Sequence, residues 1–321
     1  MSKIVFLDAF TLNSGDLSWS PLMECGKLYL LDRLTTDDLP REQLAETDIL
    51  IVNKVKVDEY LLTLCPALKY IVVAATGYNN VDLALCASRG VSVSNVRGYS
   101  TEGVVQHVFA AIMSHLNRLE YYAKEVKDGR WHHTPDFCFY DHSILELSGK
   151  TLGILGYGTI GKRVAQVAEA FQMNVLVFNK YGSNRQLTEK IKEVDLEILL
   201  QDSDMISLHV PLNEKTKEII SAKNLAKVKD TITIINTGRG GLINEDDLSV
   251  FLEQNRNAAA LLDVIQTEPP QVNHPLYTME NCHITPHIAW ASKESRIRLL
   301  EGIVANIKAF QSGEPINIVK A

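Results

Sequence analysis

The chain has 321 residues, 46% of them hydrophobic and 22% charged, with a formal net charge of −7. That length exceeds what one hydrophobic core sustains, so two domains are expected. The composition excludes a disordered chain, and the acidic balance argues against a nucleic-acid surface, which would need a basic face.

Five cysteines, at 25, 65, 86, 138 and 282, show no CxxC pairing. This reads as a reducing compartment without structural zinc, and no metal site is expected. Apolar runs such as YIVVAA at 70–75 are too short to span a bilayer. The opening MSKIVFLDAF enters a strand pattern directly, without a signal-peptide layout. No membrane contact and a cytoplasmic location are the expectations.

In chain order, β-rich runs occur at 3–9, 27–33, 49–54, 70–76 and 91–96. A long helix is predicted over 101–126, capped by Ser100 or Thr101, with apolar residues at 104, 105, 108, 109, 112, 113, 116 and 119. The aromatic stretch DFCFYD follows at 136–141. A second series of β-rich runs lies at 151–156, 174–179, 205–210, 231–237, 259–265 and 282–287. A last helix starts near Ser292, with apolar residues at 297, 299, 300, 303, 304, 307 and 310. Strands alternating with helices imply right-handed crossovers and parallel sheets covered on both faces. Two series imply two doubly wound α/β domains. If the last helix packs on the first series, that domain is made of both chain ends.

The sharpest motif is TLGILGYGTIGKR at 151–163. Gly156, Gly158 and Gly161 form GxGxxG between an apolar strand and a helical run, with Thr159 and Ile160 expected among the cofactor-binding residues. The first glycine allows a tight turn, the second lets backbone approach a pyrophosphate, and the third lets helix and strand pack closely. The helix N-terminus then offers free N–H groups to phosphate. An acidic residue is expected at the end of the next strand, about 20 residues on, to bond the ribose hydroxyls of NAD. Asn179 stands there instead. It still bonds a hydroxyl but does not repel a 2′-phosphate, and Lys180 and Arg185 follow. NAD(H) is the favoured reading, with NADP(H) open.

The stretch IINTGRGG at 234–241 ends a strand and sets Arg239 between Gly238 and Gly240. Ligands of open α/β sheets lie beyond the carboxyl ends of the strands. Other strands of this series end in His209, in Asp263 with Glu268, and in His287. Arg239, Asp263, Glu268 and His287 are therefore expected on one rim facing the cofactor. A guanidinium binds a carboxylate in bidentate fashion. A histidine passes a proton to or from an oxygen, and a carboxylate on its far nitrogen fixes the tautomer. With a nicotinamide, these residues suit the interconversion of a 2-keto acid and a 2-hydroxy acid.

The chain resembles the D-isomer-specific 2-hydroxyacid dehydrogenases. The matching stretches are ATGYNNVD ending at Asp82, NVRGYSTEGVVQH at 95–107, LGYGTIG at 155–161, NTGRGGLINEDDL at 236–248, LLDVIQTEP at 261–269 and TPHIAW at 285–290. Within that family, GYNNVD, GYSTEGVVQH and DFCFYD are most similar to the glycerate dehydrogenase, or hydroxypyruvate reductase, branch. The resemblance implies a Rossmann cofactor domain over 99–289 and a flavodoxin-like substrate domain over 1–98 and 290–321. It implies Arg239, Glu268 and His287 as the catalytic set, with Arg239 and His287 also touching substrate. Thr76 and Gly77 would offer backbone N–H groups to the substrate carboxylate, with Asn53 and Lys54 nearby. Asp263 would bond the nicotinamide carboxamide, Thr237 would lie along the cofactor, and His209 and Pro211 would flank the adenosine side. A homodimer acting on a small 2-keto or 2-hydroxy acid is implied, most simply hydroxypyruvate and D-glycerate, with glyoxylate as the alternative. Three positions depart from the family pattern: Asn179 for Asp, Arg97 for proline, and Pro270, which stiffens the loop after Glu268.

The remaining features have plainer readings. His132 and His133 beside Trp131 are expected to be exposed loop residues, and His107 a core or interface residue. Trp290 is expected behind the His287 ring. The aromatic stretch 136–141 is expected to act as a lid on a partner subunit's site, with Phe139 the residue to test. A protein of a different class, an NAD(H)-sensing corepressor, shares such folds. The complete Arg, Glu and His set favours an enzyme.

Overall fold

The computed structural model describes residues 1–33, 39–179 and 187–320. The chain divides into two compact units. The first is Met1–Ser100 with Trp290–Ala321, and the second is Thr101–Ala289.

The first unit holds β1 (Lys3–Phe6), β2 (Lys27–Leu30), β3 (Ile49–Val52), β4 (Tyr70–Val73) and β5 (Ser92–Asn95). All pair in parallel, in the order β2-β1-β3-β4-β5. Every residue of β3 and β4 is at 0% exposure, as a sheet covered on both faces requires. The apolar clusters of this unit include Ile4, Ile49, Tyr70 and Leu299 in one and Val5, Leu50, Ile71 and Leu61 in the other. The order reverses at β1, which creates the crevice where such sheets bind ligands.

The C-terminal helix Lys293–Gln311 belongs to this unit. Ser292 caps it by accepting from the Ser295 N–H. Its Leu299, Ile303 and Ile307 enter the core beside Ile4 and Val72, and Phe310 stacks on Tyr70 at 4.2 Å between centroids. Asn306, fully buried, donates to the Asn95 carbonyl at 3.0 Å.

The second unit holds β6 (Thr151–Leu155), β7 (Asn174–Phe178), β8 (Ile191–Glu193), β9 (Met205–Leu208), β10 (Thr233–Asn236), β11 (Ala259–Leu262) and β12 (Cys282–Ile284). They form one parallel sheet in the order β12-β11-β10-β9-β6-β7-β8. The order reverses between β6 and β9, the dinucleotide position of a doubly wound sheet. Apolar clusters include Val108, Ile154, Val164 and Val175 in one and Leu199, Ile206, Ile234 and Leu248 in the other.

Three details differ from the sequence reading. The helix predicted over 101–126 is two helices, Thr101–Asn117 and Leu119–Lys127. Arg118 between them has φ 52°, a left-handed conformation that breaks the hydrogen-bond ladder. The strand β8 carries only IKE and shows too little alternation to be read as a strand. The strands are also shorter than the apolar runs, because the residues beyond each carboxyl end turn into the loops that carry the polar groups. Among the described residues, no helix is long and apolar enough to cross a membrane.

Candidate active site

In the second unit, β6 runs into Gly156, whose φ of 100° favours glycine. A Cβ there would lie 2.5 Å from the His209 carbonyl oxygen. Gly158 caps the helix Thr159–Ala170 without a side-chain acceptor, so the first N–H groups of that helix face outward. A Cβ on Gly161 would collide with the Gly156 carbonyl oxygen, whereas one on Gly158 would meet nothing within 4 Å. Packing therefore explains the first and third glycines. The second borders open space at the carboxyl edge of the sheet.

Asn179 directly follows β7 and is half-buried. Lys180 and Arg185, considered with it for a 2′-phosphate, lie outside the described residues. His209 follows β9, and its Nε2 lies 2.8 Å from the Ser207 hydroxyl. Burial pushes its imidazole down to about 4, so the ring is neutral near pH 7. Pro211 is exposed beyond it, its carbonyl accepting from Thr216 Oγ1 at 2.6 Å.

Beyond β10, Thr237 Oγ1 is buried and has no hydrogen-bond partner among the described residues. Thr237 lines a cavity of about 630 Å³ together with Asp263, Thr285 and His107. Arg239 is exposed. Its Nη1 donates to the Gly238 carbonyl at 2.8 Å, and no ion pair among the described residues uses it. A Cβ on the next residue, Gly240, would run into the Ile265 carbonyl. The Arg239 loop is thus pressed against the loop that follows β11.

That second loop holds Glu268. Its Oε1 accepts from the Ile265 N–H at 3.3 Å, and its Oε2 lies 2.6 Å from His287 Nδ1. Gln266 fixes the same loop, donating its N–H to Glu245 at 2.7 Å and its side-chain amide to the Ile243 carbonyl at 3.0 Å. A continuous path of contacts therefore runs from Arg239 through Gly240, Ile265 and Glu268 to His287. Both dyad side chains remain partly accessible, at 23% for His287 and 33% for Glu268. With Nδ1 on the carboxylate, Nε2 is the ring nitrogen left to meet a ligand.

Asp263, 2% exposed, holds the His287 segment in place. Its carboxylate accepts from Thr285 Oγ1 at 2.6 Å and from the N–H groups of Ile288 at 2.9 Å and Ala289 at 2.8 Å. His287 takes φ 55°, and its own N–H donates to the Asp263 carbonyl at 2.9 Å. His107 joins this network through Thr285 Oγ1 at 3.1 Å.

In the first unit, the residues expected near substrate end β3 and β4. Asn53 is 5% exposed, and its amide nitrogen is committed to Thr11 Oγ1 at 2.9 Å. Lys54 and Thr76 are exposed, with Gly77 beside Thr76 half-buried. Thr76 Oγ1 donates to the Val96 carbonyl at 3.1 Å. A residue not singled out from sequence organises this edge. Asp8, 4% exposed at the end of β1, accepts the N–H groups of Asn53 at 2.8 Å, Lys54 at 2.5 Å and Val55 at 3.1 Å. An acid closing KIVFLD was the available signal. Trp290 lies in this unit, its ring edge-on to Tyr99 at 6.2 Å.

Within the second unit, Arg130 holds the aromatic stretch together. Arg130 Nη1 donates to Asp141 at 2.9 Å and Glu125 at 3.0 Å, and its guanidinium sits 4.5 Å from the Phe139 ring centre. Phe139 is therefore an internal prop. Phe137, at 89% exposure, and Tyr140, at 74%, are the outward residues.

Comparison with known proteins places this architecture. Residues 109–289 match the family profile described as D-isomer specific 2-hydroxyacid dehydrogenase, NAD binding domain. A hydroxypyruvate reductase of Blautia hydrogenotrophica is 39% identical over 319 residues, covering 99% of both chains. A glycerate dehydrogenase of Methylorubrum extorquens is 39% identical over 321 residues, again 99% of both. Among solved structures, the D-lactate dehydrogenase of Aquifex aeolicus complexed with NAD and lactic acid aligns with a TM-score of 0.84 at 30% identity, over 99% of each chain. An acyclic imino acid reductase in complex with NADPH and D-Arg aligns equally well, with a TM-score of 0.84 at 30% identity over 98% of this chain and 99% of that one. The class is that of a two-unit α/β oxidoreductase with a dinucleotide-binding Rossmann sheet. Within that class, the chain belongs to the D-isomer specific 2-hydroxyacid dehydrogenase family.

Proposed function

We propose that this chain reduces hydroxypyruvate to D-glycerate, reversibly, with NAD(H) as the favoured coenzyme. The observation that carries the reading is the Glu268–His287 pair at 2.6 Å, joined through Ile265 and Gly240 to a guanidinium outside any described ion pair. Arg239 grips the substrate carboxylate as a fork. His287, as the imidazolium, gives its Nε2 proton to the carbonyl oxygen; Glu268 stabilises that imidazolium and leaves the Nδ1–H tautomer, whose bare Nε2 takes the proton back in the reverse direction. The substrate-binding residues expected in the first unit are Lys54 and the backbone at Thr76 and Gly77, beside Asn53, which donates to Thr11.

The residues fit a dinucleotide. Open space beside Gly158 suits a pyrophosphate against the N–H groups of Thr159, Ile160 and Gly161. Asn179 suits the ribose hydroxyls, and His209 and Pro211 flank the adenosine. The orphaned Thr237 hydroxyl and the spare acceptor capacity of Asp263 suit the carboxamide end. When bound, the reduced nicotinamide supplies the hydride.

The names of the relatives support the substrate, and two further relatives named glyoxylate reductase, from Korarchaeum cryptofilum and Aeropyrum pernix, keep glyoxylate as the second reading. A cytoplasmic location belongs to the same proposal, supported by five free cysteines. The test follows absorbance of NADH and NADPH with hydroxypyruvate, glyoxylate, pyruvate and 2-ketoisocaproate. The highest kcat/KM is expected for hydroxypyruvate with NADH. A higher value for glyoxylate selects the second reading, and oxidation with none of the four removes both.

A further inference from the structure

We infer that Asn236 is a positioning residue for substrate-carboxylate binding, acting through Arg239; this rests on the proposed role of Arg239. Asn236 ends β10 and is fully buried. Its Oδ1 accepts from the Gly238 N–H at 3.0 Å, and its Nδ2 donates to the Arg239 carbonyl at 2.9 Å. One side chain thereby bridges the backbone on both sides of the Gly238–Arg239 peptide. The first bond closes a local turn, a geometry in which asparagine imitates backbone. The second fixes the carbonyl of the arginine itself. The Asn236 backbone carbonyl also accepts from the Asp263 N–H at 2.8 Å, which ties this brace to β11.

The loop needs such a brace. Glycines flank Arg239 on both sides and leave the backbone many conformations. A long side chain on a free loop loses rotamer and backbone entropy whenever it binds. Contact between Gly240 and Ile265 holds the far end of the loop, and Asn236 holds the near end. The Arg239 guanidinium donates to the carbonyl of Gly238, the residue whose N–H Asn236 holds, so its aim depends on this backbone. Displacing a positioning group by about 1 Å can cost ~10²-fold in rate.

The test is a double-mutant cycle on kcat/KM for hydroxypyruvate, combining Asn236→Ala with Arg239→Lys. Asn236→Ala should lower kcat/KM about tenfold, the worth of one or two neutral hydrogen bonds, with the KM for NADH unchanged. In the Arg239→Lys background the same substitution should cost less than about twofold, because the fork it aims is already gone. Equal losses in both backgrounds, or no loss in the parent, overturn the inference. If Arg239→Lys leaves kcat/KM unchanged, the carboxylate reading itself fails, and this arm separates that failure from the failure of the brace. Asn236→Ser keeps a weaker form of the turn bond and loses the donor to Arg239, so it carries the same comparison if the alanine variant does not fold.

Discussion

Glu268 touches the proposed chemistry only through another ring, so its replacement isolates one effect. Glutamine preserves the shape and an acceptor for His287 Nδ1 but removes the negative charge. Glu268→Gln should lower kcat for hydroxypyruvate by ~10²–10⁴, the range for general acid–base assistance, with little change in KM. Steady-state absorbance assays check this, and an unchanged kcat would take Glu268 out of the proton path. Residue types and strand-end positions were enough to nominate Arg239, Glu268 and His287, because chemistry beyond parallel strands concentrates at their carboxyl ends. Their bracing was not legible. The bonds of Asp8 to residues 53–55, of Asn236 across Arg239, and of Asp263 to residues 288 and 289 join positions whose approach depends on loop geometry. Periodicity carries no information about such bonds. The inward turn of the Asn53 amide to Thr11 was hidden for the same reason.

The glycine turn between β6 and the helix Thr159–Ala170 separates two demands that a sequence motif merges. Gly161 has no room for a methyl group, because its Cβ would strike the Gly156 carbonyl oxygen. Gly158 has φ −83° and open space, so alanine fits there without strain. Gly161→Ala should therefore lower the melting temperature by several degrees, as about 1–3 kcal/mol of overpacking does. Gly158→Ala should leave Tm within about 1 °C and raise the KM for NADH, since the added methyl occupies space proposed for the pyrophosphate. A Gly158→Ala variant that melts early yet binds NADH normally would reverse the assignment. At this scale the sequence was most informative where apolar runs were long, as in β3 and β4. It was least informative at β8 and at Arg118, where three residues and one left-handed φ set the structure.

Of the exposed apolar side chains of the second unit, several lie between residues 119 and 145. Leu119, Trp131, Phe137, Tyr140, Ile144 and Leu145 are all exposed, from 48% to 89%. Single exposed apolar residues need no explanation, but a rigid group of them marks an interaction surface. The homodimer expected from the family resemblance would give this arm, held by Arg130 against Glu125 and Asp141, a second copy to pack against. Sedimentation velocity should then give about twice the 35.8 kDa chain mass, and combined Phe137→Ala and Tyr140→Ala should shift the protein towards the monomer. A parent protein that sediments as a monomer at micromolar concentration would sink this proposal.

The split of the first unit between the two chain ends has a consequence for biosynthesis. Vectorial synthesis delivers every strand of the first sheet early, but the helix that covers Ile4, Tyr70 and Val72 emerges only after the second unit. The contiguous second unit can meanwhile complete its own core on the ribosome. Until residues 293–311 arrive, one face of the first sheet stays unsheltered, and that interval is when a chaperone has the most to protect.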